Sequence, residues 1–363
     1  MKKIFLILFS TALVGLTSCH NKDWEFNDFE YQSVYFSYQY PVRTIVLGDD
    51  IFDTTLDNEW KCKIMATTGG VYSNPHDVTV DISVDNNYAQ DLQFDNGTDL
   101  LIMPTTYYSL SDDQIVIKKG ELTGGVEVQL TEAFFADPEA IRNTYVIPVQ
   151  MSNVTAADSI LSGVPQVENP RPAVAGDWSV QPKDFILYAI KYINPWHGYY
   201  LRRGVDEVTK DGVNTTEVRH QQYVEDDAVW QLTTRSMTEV HFPLDYQNKE
   251  GQNLNLEMNL TVDDDLNITV SALNDTYQVN DSVRVYNFVA TGTGQFVEDG
   301  EVKSWGDQDR DGLYLNYEVG YDVEIDYQDA GVIDTETVHY STIDTLVIRN
   351  RGVDIELFTP IVN

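Results

Sequence analysis

The chain has 363 residues, with 23 Lys plus Arg against 58 Asp plus Glu and a formal charge of −35. A field of that sign repels phosphate backbones and excludes nucleic acid as a natural partner. With 42% hydrophobic and 12% aromatic residues the chain nevertheless has the apolar content of a folded protein rather than a disordered one.

The first element is a short N-terminal segment with Lys2 and Lys3 ahead of an apolar run from Ile4 to Leu16. It is too short to span a membrane and reads as a secretory signal over 1–18. Leu16-Thr17-Ser18-Cys19 closes it, a small residue before Cys in the manner of a bacterial lipobox. Cleavage before Cys19 would leave a diacylglycerol on its sulfur and a firm membrane anchor. Residues 19–32 are then the lipidated Cys and a polar tether. Lipidation of Cys19 leaves Cys62 without a disulfide partner. Trp60, Cys62 and Ile64 share one face of a period-two pattern, so Cys62 reads as a buried strand thiol.

Residues 33–165 read as short strands in a β-sandwich of immunoglobulin size. Val78, Val80, Ile82 and Val84 alternate with polar residues, as do Val126, Val128 and Leu130 beyond a Gly124-Gly125 break. Pro148 within Tyr145–Val149 implies an edge strand or a bulge. Asp137-Pro138-Glu139 looks like a helix start between Thr131 and Arg142. The Pro/Gly-rich stretch 166–182 is the expected linker. From 183 to 363 strands resume, beginning with the apolar run Phe185–Ile193. Asp263-Asp264-Asp265 marks a hairpin turn, and Ile355–Phe358 closes the chain. This second half suits a closed antiparallel β-barrel, calycin-like, or a jelly roll. The expected class is all-β.

Two local patterns bear on chemistry. Asp307, Asp309, Asp311, Gly312 and Glu318 fit the spacing of a calcium loop, three carboxylates around a tight turn and a bidentate Glu. Leu313–Val319 alternates like a strand and no helical pattern flanks the loop, so an acidic hairpin tip is the competing reading. Trp196, Tyr199, Tyr200 and Arg202 crowd one corner, and Trp305 sits beside the acidic loop. If gathered at a barrel mouth they form a sugar platform; otherwise they are core and rim. The six histidines carry no HExxH spacing, and GxSxG, P-loop and dinucleotide fingerprints are missing.

Ser33-Val34-Tyr35-Phe36, Asp77-Val78-Thr79-Val80, Ile115–Gly120 and Tyr145–Val149, beside the lipobox, resemble Bacteroidetes surface lipoproteins. The N-terminal domain of these is of unknown function and is similar to one preceding the catalytic barrel of some family 18 endo-β-N-acetylglucosaminidases. The family 18 DxxDxDxE run is missing from this chain. The resemblance implies a polysaccharide-utilisation protein that captures glycans without cleaving them and passes them to an outer-membrane transporter or a hydrolase. The acidic residues after Cys19 loosely match the signal that sends such lipoproteins to the cell exterior. A glycoside hydrolase with an unidentified carboxylate pair and a structural or adhesive surface protein are the alternatives.

Overall fold

The computed structural model describes residues 29–327 and 332–362. Cys19, the signal segment and most of the tether lie outside the described residues. The first half carries β1 (Ser33–Tyr35), β2 (Pro41–Val46), β3 (Lys61–Gly69), β4 (Val78–Val84), β5 (Leu92–Gln93), β6 (Leu101–Ile102), β7 (Tyr108–Leu110), β8 (Gln114–Ile117), β9 (Thr123–Leu130), β10 (Tyr145–Thr155), β11 (Ser159–Ile160), β12 (Val164–Pro165), β13 (Trp178–Val180) and β14 (Phe185–Ile193).

One sheet runs β11-β1-β3-β9-β7; the facing sheet includes β2-β14-β10-β4-β8, with β6 added beside β10. Period-two side chains meet between them: Cys62, Ile64 and Ala66 of β3 and Val126 and Val128 of β9 pack with Val78, Val80 and Ile82 of β4 and Ile147 and Val149 of β10. Fully burying each such aliphatic contributes about 1.5–3 kcal/mol. Val84, the last residue of β4, leaves this alternation and is exposed. Cys62 is buried as its pattern required, and burial pushes its thiol up to about 12. In place of one helix there are two single turns, Glu132–Phe135 and Pro138–Ile141; Asp137 caps the second by accepting from Glu139 N at 2.9 Å.

Two features depart from the sequence-based expectation. Pro148 is neither at an edge nor in a bulge, since β10 lies between β14 and β4. On one flank β10 pairs with β6 through Tyr145 and Val146, then with β4 from Val149 onward. Pro148 falls at the changeover, where its missing N–H costs no ladder bond. The second correction is the domain boundary. Phe185–Ile193, expected to open the second domain, is a central sandwich strand, antiparallel to β10 and parallel to β2. Ile186, Tyr188, Ile190 and Tyr192 face the main core, while Phe185, Leu187 and Ala189 face a smaller one with Phe94 and Phe358. A strand covered on both faces is a continuous apolar run. The stretch 166–182 is a loop within the sandwich, part of it ordered by the β12–β13 ribbon.

The chain crosses over at Asn194. Next come β15 (Gly198–Lys210), β16 (Val213–Arg219), β17 (Ala228–Thr234), β18 (Glu239–Leu244), β19 (Leu256–Val262), β20 (Asn267–Ala272), β21 (Tyr277–Asn280), β22 (Val283–Trp305), β23 (Gln308–Tyr327) and β24 (Val332–Asn350). They pair in the circuit β15-β17-β18-β19-β20-β22-β23-β24, and β24 returns to β15 from Asn350↔Tyr199 to Val338↔Lys210. That closure makes the second unit a barrel rather than a jelly roll. Within it β16 forms a hairpin with the distal half of β15, and β21 pairs with β22. The Asp263 turn joins β19 to β20, with Asp263 Oδ1 accepting from Asp265 N at 3.0 Å and Asn267 N at 2.9 Å.

The chain then returns to the sandwich. β25 (Glu356–Leu357) pairs with β2, and β26 (Ile361–Val362) with β5. Two buried polar side chains fix the junction. Asn194 donates to Ser236 O at 2.9 Å and Glu239 O at 2.8 Å, and accepts from His197 N at 3.1 Å. Arg351 donates to Leu47 O, Asp49 O, Asn194 O and His197 O at 2.6–3.1 Å, tying the end of β24 to the sandwich.

Candidate functional site

The inward face of β15 should be apolar by alternation, yet it carries charge. Tyr200, Arg202, Asp206 and Val208 are buried, with Gly204 between the charged pair. A Cβ on Gly204 would lie 2.3 Å from Asp344 Oδ1 and 2.4 Å from Ile343 O, so glycine makes the room in which Asp344 of β24 approaches β15. Arg202 Nε donates to Asp344 Oδ2 at 2.9 Å, and Arg202 donates also to Tyr317 OH at 2.9 Å. Tyr317 OH in turn donates to Asp344 Oδ2 at 2.8 Å. Arg219, from β16, reaches in to Asp206 at 2.6 and 2.9 Å and to Asp344 Oδ1 at 2.7 Å. Thr342 Oγ1 donates to Asp206 at 2.7 Å.

The charges match: two guanidiniums against two carboxylates, with most hydrogen-bonding capacity filled. Burial works against ionisation of Asp206, but hydrogen bonds from Arg219 and Thr342 and the guanidinium charges hold its carboxyl below the usual value. Burial also opposes the charge on Arg202, and the neighbouring Tyr317 and Asp344 outweigh it and raise its pKa. The guanidinium carbon of Arg202 lies 4.6 Å from the Trp230 ring centre and 5.1 Å from that of Phe242.

This cluster forms one wall of a cavity of about 540 Å³ at the barrel end away from the sandwich. Trp230, Tyr246 and Tyr340 add aromatic surface; Glu217, Gln221, Asp227 and Asp245 add hydrogen-bonding groups. Tyr246 and Tyr340 stack in parallel with ring centres 4.0 Å apart. Burial raises the Tyr246 hydroxyl well above its ordinary pKa, and that hydroxyl has no hydrogen-bond partner among the described residues. Asp227 accepts from Arg203 Nε at 2.6 Å and from Gln221 N at 2.6 Å, which pins the rim. Volume, aromatic walls and a few fixed polar groups are those of a small-molecule site. The buried carboxylates are held by arginines and do not form a free acid–base pair.

Of the residues singled out from sequence, Arg202 lines this cavity. Trp196 and Tyr200 are core: Trp196 packs edge-on to Phe296, and Tyr200 OH donates to Trp196 O at 2.9 Å. Tyr199, on the outward face of β15, lies against Gly352 at the junction. Trp305 ends β22, its indole donating to Ile348 O at 3.3 Å and its ring under Arg310 at 3.8 Å. The corner is therefore not one sugar platform.

The acidic motif begins at Asp307 in the turn between β22 and β23 and runs on along β23. Asp309 Oδ1 accepts from Lys303 N at 2.9 Å, Asp311 Oδ1 from Asp299 N at 2.9 Å, and Glu318 approaches His339 at 3.0 Å. Asp307 lies 3.4 Å from Lys303 Nζ. No group of three or more His, Cys, Asp or Glu side chains among the described residues is placed to hold a metal ion. The sequence reading missed Asp206, Arg219, Trp230, Tyr246, Tyr317, Tyr340 and Asp344. A signal for two of them existed, since Asp206 and Asp344 fall on inward positions of their strands, in alternation with buried Val208 and Leu346.

A family model for a domain of unknown function (DUF5627) matches residues 195–352, which begins where the chain leaves the sandwich. A second model, described as an N-terminal domain, matches residues 29–158. A protein of unknown function from Bacteroides ovatus, with a crystal structure, is 40% identical; the match covers 92% of this chain and all of that one, at a TM-score of 0.80. This chain belongs to the same family. More distant structures include a multidomain protein including DUF1735 from Bacteroides ovatus, 13% identical over 90% of this chain and all of that one, with a TM-score of 0.37. An auxiliary nutrient binding protein from Bacteroides thetaiotaomicron is 14% identical over 86% of this chain and 92% of that one, with a TM-score of 0.35. No curated protein matches the chain.

Proposed function

We propose that this chain is a non-catalytic saccharide-binding lipoprotein, anchored through Cys19 to the outer membrane and facing the cell exterior. In this role it captures glycans for uptake and hands them to an outer-membrane transporter or a glycoside hydrolase. The observation that carries the reading is the distal barrel cavity, where Trp230, Tyr246 and Tyr340 share a lining with Glu217, Gln221 and Asp227. Sugar rings offer C–H faces to aromatic surface and hydroxyls to fixed polar groups. Binding rather than hydrolysis fits carboxylates already engaged by Arg202 and Arg219.

The test is a glycan-array screen of the chain from His20 onward, unlipidated, followed by calorimetry on the hits. Trp230→Ala, with its fold checked by circular dichroism, is expected to weaken the best hit by at least about tenfold. Release of shortened sugars from that hit would favour the hydrolase reading. A blank array from folded protein would favour the adhesive one.

A further inference from the structure

Beside the cavity in the barrel mouth lies a second one of about 470 Å³, lined by β17, β18 and the segment leading into β19. The two share Trp230 and Asp245. The cause of the second cavity is local. β17 and β18 pair at Thr233↔His241 and Thr234↔Val240, next to their turn, and then part. Pro243 faces β17 with its carbonyl, which accepts the Trp230 indole N–H at 2.6 Å, and it has no N–H to offer on that side. The ladder therefore gives way to a cleft, and Trp230 stands between an inner and an outer chamber.

The chambers agree in charge. In the inner one Arg202 and Arg219 are spent on Asp344 and Asp206, and Arg203 beside the rim on Asp227. Lys210 is a further lining cation, and Glu217 and Asp245 are lining carboxylates. In the outer one the charged groups are Asp245 and Glu257. An anionic sugar would meet guanidiniums already paired with carboxylates, one lysine, and the further carboxylates Glu217, Asp245 and Glu257.

Resting on the saccharide reading above, we infer that the site takes an uncharged oligosaccharide which passes Trp230, with one part in the barrel mouth and the next in the cleft between β17 and β18. Chain length is read by the outer chamber and charge by the paired arginines.

The experiment uses the chain from His20 onward and calorimetric titration with single sugars and short oligomers of neutral gluco-, manno-, xylo- and galacto-series, together with oligogalacturonates. In the series that binds, affinity is expected to rise at least about tenfold from single sugar to short oligomer. The oligogalacturonates are expected not to bind. Gln231 is exposed on β17 and lines the outer chamber alone, a strand position that accepts an aromatic. Gln231→Trp should remove the gain with length and keep the affinity for the single sugar. Equal affinity for all lengths, preference for the uronates, or an unaltered length dependence in Gln231→Trp overturns this inference and leaves saccharide binding standing. No binding of any sugar on the array or in the titrations overturns both.

Discussion

Asp344→Asn probes whether the charge cluster is as dry as its burial implies. Asp344 is 1% exposed and receives Arg202, Arg219 and Tyr317 at 2.7–2.9 Å. The substitution keeps the shape but removes the charge that balances two guanidiniums, and it turns an amide N–H₂ toward donors. Breaking a buried pair from one side costs about 3–5 kcal/mol, against a stability of about 5–15 kcal/mol for a typical domain. In a unit of this size that lowers Tm by about 6–20 °C. Urea titration followed by tryptophan fluorescence and far-ultraviolet dichroism is the assay, with an unchanged m-value as the condition for comparison. Glu127→Gln at the half-exposed Lys63–Glu127 pair, 3.4 Å apart, is the control and should cost less than about 1 kcal/mol. A cost for Asp344→Asn no larger than the control's, and erased by salt, would mean that water screens the cluster. The arginines of a screened cluster would be available to an anion.

Gly204→Ala meets the Ile343 carbonyl and the Asp344 carboxylate, and should cost about 1–3 kcal/mol and weaken saccharide binding, whereas Gly176→Ala, with open space around it, should be neutral in calorimetric melting. Burial, with the charges of Arg351 and Lys191, lowers His197 from 6.5 to about 4. Between those values the unfolded chain holds the extra proton, so stability falls as pH drops from 6.5 towards 4 and levels off below. His197→Asn keeps an acceptor for Thr234 N, which His197 Nδ1 meets at 3.0 Å, and should lose about 2–3 kcal/mol less than the parent across that range in urea titrations. Cys62, buried with its thiol pushed up to about 12, should resist iodoacetamide at pH 8 until the sandwich is unfolded; rapid labelling of the native protein would contradict its burial.

The strands were legible wherever one face is wet. Val78, Val80 and Ile82, the hairpin around Asp263, and Leu313, Leu315 and Tyr317 all lie as their alternation required. Legibility failed where a strand has no wet face. Phe185–Ile193 carries no period, so nothing local assigned it to the sandwich, and Pro170, Pro172 and Gly176 looked like a boundary because loops and linkers share a composition. The site failed for another reason. Aromatic density near Trp196 follows sequence distance, whereas the cavity unites Arg202, Arg219, Trp230, Tyr246 and Tyr340 through barrel closure between β15 and β24. Charged residues on inward positions were the better guide, because burying an ion is costly unless a partner is waiting.

Closure also fixes where the cavity points. β15 leaves the junction at Gly198, beside Asn194 and Arg351, and runs outward to Lys210; the cavity begins at Arg202. β18 starts at Glu239, whose carbonyl Asn194 holds, and ends at Leu244, before Asp245 and Tyr246 of the lining. Both strands therefore climb from the sandwich to the mouth. Arg351 and the return of β25 and β26 bind the barrel to the sandwich at its other end, through carbonyls of both units. Cutting the chain after Asn350 removes Arg351 and both return strands; it should loosen the barrel from the sandwich in small-angle scattering while sparing the cavity.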